Sequence, residues 1–209
     1  MVSGDVLIAI FMASFILALV PGPDNIFLLT QSALEGPIAG FCLTLGLLTG
    51  IMCHTAAVIF GVTVIITSSV YAFTALKIFG VGYLLYLAWG AFRASNSKIP
   101  RKDTKKIGKF ALYRRGIIMN IGNPKIAVFF LAFFPQFIDP TLGAVAQQTV
   151  ELAASFIAAF LIVFISIGYL AGTLGEFLRN SDKAQTYLNR AAGIIFVGFA
   201  IKLAVSENG

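Results

Sequence analysis

Two short proline-containing runs concentrate the residues that could do chemistry, Pro21-Gly22-Pro23-Asp24-Asn25 and Asn123-Pro124-Lys125. Each interrupts an apolar stretch, and in each a charged side chain directly follows the last proline. Proline removes a backbone donor and clashes with the preceding turn, so both places read as helix breaks. Gly22 before Pro23 and Asn123 before Pro124 share a second signal, a capping residue followed by proline at the first helical position. Each break therefore starts a new half-helix. The unpaired N–H groups and positive dipole end of such a half-helix suit a carboxylate. Asp24 offers the opposite charge to an ammonium, while Lys125 either holds the carboxylate or neutralises Asp24. Both signs together suit a zwitterion. The competing reading is a pair of simple kinks with Asp24 and Lys125 as a structural ion pair.

Asn25, Asn120, Asn123 and Gln136 add polar groups along the same two stretches, as part of a binding site or as hydrogen-bonding glue between helices. His54, the only histidine, falls at helical spacing with Gly46, Gly50 and Gly61, a stripe that lets another helix approach closely. A lone histidine is either a hydrogen-bonded core residue or, with its pKa near neutrality, a candidate for proton coupling. Cys42 and Cys53 lie 11 residues apart, about 16 Å along a helix, too far to bridge. With only Cys53 beside His54, no metal site and no cofactor are expected. Nor is there a nucleophile–base pair of the kind an enzyme needs.

Positioning these residues falls to membrane-spanning helices. Of 209 residues, 58% are hydrophobic and 11% charged, and the mean hydropathy is +0.92. A soluble domain has roughly 45–50% apolar and 25% charged residues. Spans of about 20 apolar residues are expected near 5–30, 38–66, 70–92, 114–138, 149–172 and 190–206. The first run carries no basic flank and no small-residue cleavage site, so it reads as a span and not as a cleaved signal peptide. A charged residue at mid-membrane costs about 2.5–3.5 kcal/mol on insertion scales, which makes Asp24 and Lys125 functional candidates.

Nine of the 15 Lys and Arg residues crowd 93–115, and Arg179, Lys183 and Arg190 follow the fifth span, whereas 67–70 and 139–148 have none. The positive-inside rule makes those basic segments cytoplasmic and places both termini outside. Their position between spans also accounts for the net charge of +6 without nucleic-acid binding. Trp89, Tyr83, Tyr86 and Tyr113 read as an interfacial belt at the same boundary, with Tyr83 deep enough to face a pathway instead. The expected fold is thus an all-α membrane bundle of one transmembrane domain, 1–209. Its two three-span halves, 1–93 and 113–209, flank a basic loop at 94–112. Three crossings per half give opposite orientations, the arithmetic of a 3+3 inverted repeat with broken first and fourth helices.

PGPDNIFLLTQSALEGPIAGF at 21–41, the Gly-x3-Gly-x3-His at 46–54, GVGYLLYLAWGAFRA at 80–94, NIGNPKIAVFFLAFFPQFID at 120–139 and LNRAAGIIFVGFAIKLA at 188–204 together resemble the LysE/RhtB family of amino-acid exporters. The resemblance implies six spans in a bacterial inner membrane, often as a homodimer, and gradient-driven efflux of small amino acids or derivatives, with homoserine-, threonine- and leucine-type exporters the nearer branch. It also supports Pro21, Gly22, Pro23, Asn123, Pro124 and Lys125 as central motif residues. A metal or other ion transporter using Asp24 and His54 is the alternative.

Overall fold

The computed structural model describes residues 2–62, 70–94, 107–139, 141 and 143–205, and the regular structure of these residues is helical throughout. Pro21 and Pro23 divide the first apolar stretch into α1 (Gly4–Leu19) and α2 (Pro23–Glu35), bent by 63°. Gly36, with φ of 88°, supplies the left-handed turn into Pro37, where α3 (Pro37–Ala57) begins. A wider π turn continues α3 over Val58–Val62. After α4 (Val70–Arg93), the proline at 124 separates α5 (Lys109–Ile121) from α6 (Pro124–Phe137), bent by 49°. The chain closes with α7 (Val145–Asn180) and α8 (Asp182–Val205).

Four stretches are long and apolar enough to cross a bilayer, Pro37–Gly61, Thr74–Arg93, Val145–Ala171 and Lys183–Val205, and the two bent pairs bring the count to six when each is one span. The fold is a multi-pass helical membrane bundle with broken first and fourth spans. Of the expected basic loop, residues 95–106 lie outside the described residues, as do 67–69 and Pro140 and Leu142 of the two uncharged stretches.

Several boundaries differ from the hydropathy reading. α2 runs on to Glu35 because Thr30, Gln31 and Ser32 are buried against neighbouring helices, although their polarity makes the span look finished near residue 30. α5 starts at Lys109, ahead of residue 114, since Leu112, Gly116 and Asn120 put one buried face on a helix whose Lys109, Arg114 and Arg115 are exposed. α7 and α8 likewise begin at 145 and 182, ahead of 149 and 190.

The helices pair across the two halves: α1 and α2 pack on α7, α5 packs on α3, and α4 packs on α8. The first span's leading segment thus meets the fifth span, and the fourth span's leading segment meets the second. Glycine makes the α3–α5 crossing possible. A Cβ on Gly46 would collide with the Tyr113 carbonyl, and one on Gly116 would lie 2.5 Å from the Leu43 carbonyl. Gly61, expected on the same stripe, is exposed with open space around it, because it lies within the π turn that changes the helical phase. Phe129, Phe130, Phe133 and Phe134 of α6 fill the centre with Phe156, Phe160 and Phe164 of α7, all fully buried. Outward faces stay apolar, with Met12, Phe41, Met52, Ile78 and Ile194 at 50% exposure or more, as a lipid-facing surface requires. Trp89 is exposed on this surface with the Arg93 guanidinium over its ring at 4.2 Å, and Tyr83 packs between Phe79 and Tyr86.

Candidate functional site

The chemistry of the first break follows from what its prolines remove. In an uninterrupted helix the N–H of residue 21 would close on the Leu17 carbonyl and that of residue 23 on the Leu19 carbonyl. Both are prolines, and the α1 ladder ends with the Val20 N–H donating to the Ile16 carbonyl at 3.2 Å. Side chains take over. Lys125 Nζ donates to the Val20 carbonyl at 3.1 Å and the Leu17 carbonyl at 3.4 Å, and Asn25 Nδ2 donates to the Ala18 carbonyl at 2.6 Å. A cation here also meets the negative end of the α1 dipole.

The two half-helix starts differ. At α6 the Asn123 side chain accepts from the Lys125 N–H at 3.0 Å, and the Asn123 carbonyl accepts from the Ile126 and Ala127 N–H groups at 3.1 and 3.0 Å. That first turn is closed, so the expected free donors are absent there. At α2 the Gly22 cap has no side chain to offer, and among the described residues its carbonyl takes only the Ile26 N–H at 3.0 Å. The backbone N–H groups of Asp24 and Asn25 have no hydrogen-bond partner among the described residues. The open N-terminus is that of α2, a 13-residue helix.

Asp24 and Lys125 meet at this point. They are 1% and 5% exposed, and Asp24 Oδ1 lies 3.8 Å from Lys125 Nζ. That distance is an ion pair but not a hydrogen bond. Neither Asp24 oxygen has a hydrogen-bond partner among the described residues, and the same holds for Asn25 Oδ1 and Asn123 Nδ2. Gly22 is what allows the approach, since a Cβ there would lie 2.7 Å from Asp24 Oδ1 and 3.2 Å from Lys125 Nζ. Its extended backbone, φ −146°, would accept any residue, so space alone requires glycine.

Asn120, wholly buried against Gly50, also has both side-chain polar atoms unpartnered. Its carbonyl accepts from the Asn123 N–H at 3.0 Å and from His54 Nε2 at 3.2 Å. A carbonyl only accepts, so Nε2 carries a hydrogen. His54 stacks on Phe130 with ring centroids 5.7 Å apart, and thus touches the second break through one backbone carbonyl. Gln136 is not brought to the breaks; its amide turns back to the Ala132 carbonyl at 2.7 Å. Beside the first break is an apolar cavity of about 200 Å³ lined by Leu19, Pro21, Asn25, Ile26, Leu29, Ile167 and Leu188. Among the described residues no group of three His, Cys, Asp or Glu side chains converges.

A proline break in a membrane helix frees carbonyls that protein or water must satisfy, and Lys125 and Asn25 are the groups that do so at the end of α1. The sequence marks one of these carbonyls, because a proline at 21 strands the carbonyl four residues earlier. Nothing local named the donor that would fill it from α6.

A broken first span and a broken fourth span thus meet at a buried ion pair within a multi-pass helical membrane bundle. The chain belongs to the LysE type translocator family, whose profile matches residues 15–207. It is 31% identical over 210 residues to the membrane protein YrhP of Bacillus subtilis, covering 96% of this chain and 99% of that one. A membrane protein of Vibrio cholerae is 29% identical over 200 residues, 96% of this chain and 97% of its own. The leucine efflux protein of Salmonella typhimurium is 29% identical over 195 residues, covering 92% and 91%. No solved structure matches the chain.

Proposed function

We propose that this protein is a secondary active transporter that exports small neutral amino acids or their derivatives across the bacterial inner membrane. The observation carrying this reading is the Asp24 carboxylate, 1% exposed and without a hydrogen-bond partner among the described residues, directly beside the open N-terminus of α2. An unsatisfied buried polar group costs about 1–3 kcal/mol, more when charged. A ligand ammonium on Asp24 recovers that cost, and its carboxylate, one carbon away, reaches the free N–H groups of Asp24 and Asn25. Asn25, the neighbour of Asp24, and Asn123, the neighbour of Pro124 and cap of the Lys125 N–H, supply further unpartnered polar atoms for the same ligand. The neighbouring apolar cavity favours the leucine-like end of the homoserine, threonine and leucine range.

Export is read from the leucine efflux protein of Salmonella typhimurium, to which the chain is similar. Orientation rests on charge. Glu35 Oε1, at the end of α2, accepts from the Ile107 N–H at 2.8 Å, which ties that end to the basic loop at 94–112. A cytoplasmic basic stretch then makes α2 lead from the break to the cytoplasm and leaves both termini outside. Two three-span halves of opposite orientation agree with the cross-pairing of α1 with α7 and α5 with α3. Coupling to the proton gradient runs through the Asp24–Lys125 pair, with His54 holding the Asn120 carbonyl in place. Lipid is the protein's surroundings, and a homodimer is its expected assembly. The ion-transporter reading gains no observation in its favour, since Asp24 and His54 have different partners.

The test is efflux of preloaded labelled amino acids, and of cadmium, from vesicles reconstituted with the purified protein, with and without a proton gradient. Leucine or a similar amino acid leaves faster than from protein-free vesicles, and faster still with the gradient. If no amino acid does so, or only cadmium leaves, the proposal is wrong.

A further inference from the structure

The three acceptors around the Lys125 ammonium form a cation subsite. The Val20 carbonyl lies 3.1 Å from Nζ, the Leu17 carbonyl 3.4 Å, and Asp24 Oδ1 3.8 Å. Two are carbonyls at the negative end of α1, left without amide partners by the break, and the third is a buried carboxylate. Such a set would take a primary ammonium on any stem, and here the stem belongs to the protein. The Cβ position of Gly22 lies 3.2 Å from Nζ and 2.7 Å from Asp24 Oδ1, so on the Gly22 side the backbone leaves no room for a second ammonium beside the pair. A second cation brought against the same acceptors would also meet like-charge repulsion in a low-dielectric site.

We infer that the Lys125 ammonium occupies the subsite that the α-ammonium of the transported amino acid takes, so that Lys125 is a tethered stand-in which substrate must displace. The inference rests on the amino-acid reading of the site. Lys125 is then a competitor of substrate and not the group that grips its carboxylate. The carboxylate falls to donors without a partner among the described residues, the N–H groups of Asp24 and Asn25 and the side-chain amide of Asn123. An empty site is held closed by an internal ion pair, and a loaded site has Lys125 released. The buried carboxylate keeps a cation in both states, which limits the carboxylate's exposure as an uncompensated charge during the transport cycle.

The two assignments of Lys125 predict opposite responses. Leucine binding is measured by titration of the purified full-length protein in detergent and compared with 4-methylpentanoate, which has the same skeleton without the ammonium. If Lys125 competes, Lys125→Met binds leucine about tenfold tighter than the unmodified protein, shows no such gain for 4-methylpentanoate, and loses gradient-driven efflux. Equal or weaker leucine binding by this variant overturns the inference. Should the variant not fold, reductive methylation of Lys125 in the unmodified protein, followed by mass spectrometry, gives the answer. Saturating leucine speeds methylation several-fold if the side chain is displaced. Protection, or an unchanged rate, contradicts displacement and supports a grip on the carboxylate. If the unmodified protein binds no amino acid at all, the transport reading fails instead, and that outcome is distinct from either result for Lys125.

Discussion

At the scale of single residues, the first break is a place where the end of α1 is completed by side chains instead of backbone. Asn25 shows this most simply: its amide serves the Ala18 carbonyl, 2.6 Å away and in the segment before the break. Asn25→Ala removes one buried hydrogen bond, and the apparent unfolding temperature in detergent should fall by the equivalent of about 1 kcal/mol. Gly22→Ala tests the space around the ion pair. An added methyl 2.7 Å from Asp24 Oδ1 must push the carboxylate or Lys125 aside, and leucine efflux should drop about tenfold while membrane insertion is unchanged. Much of this was legible in the chain, because a cap residue, a proline and the charge after it are sequence neighbours whose local geometry is dictated by sterics. The pairing of Lys125 with the α1 carbonyls, more than 100 residues away, was not. No local rule ties the two segments; that contact is set by how α6 packs.

At the scale of elements, close helix crossings and turn geometry decide where the polar groups end up. The Gly46–Gly116 crossing brings α3 against α5, and the neighbouring Gly50 seats Asn120, whose carbonyl His54 holds. Gly116→Leu should destabilise the bundle by about 1–3 kcal/mol, because the contact at 2.5 Å is backbone and cannot move aside. Gly61→Leu, with open space around the position, should leave the thermal unfolding temperature unchanged. The glycine stripe itself was readable from its helical period. Its failure at Gly61 was not, since the π turn over Val58–Val62 shifts the phase and hydropathy carries no mark of it. Gly116, at i−4 from Asn120, stands alone on α5, without the repeated glycines that mark the facing stripe on α3. His54 belongs to this scale too. Packed on Phe130 and bonded to a carbonyl, it holds the break from behind. His54→Ala should lower stability yet keep the ratio of efflux with and without a proton gradient.

At the scale of the whole molecule, a multi-pass helical bundle and membership of the LysE type family follow from composition and motif, which is why the class of the chain was accessible before its geometry. Hydropathy found the spans but ended them where polar residues began, and buried polar residues such as Gln31 and Ser32 carry α2 a further turn. Topology offers a separate prediction. Alkaline phosphatase fused after residue 205 should be active and green fluorescent protein fused there dark, with the pattern reversed for insertion at residues 98–102. The opposite pattern would invert the site relative to the two compartments. The central claim, that the break between α1 and α2 is where an amino acid binds, is tested most directly by equilibrium binding of labelled leucine to the purified protein and to Asp24→Asn. Saturable binding by the unmodified protein, displaced by unlabelled neutral amino acids and lost in Asp24→Asn with unfolding temperature retained, is the predicted result; equal affinity in both proteins would contradict it.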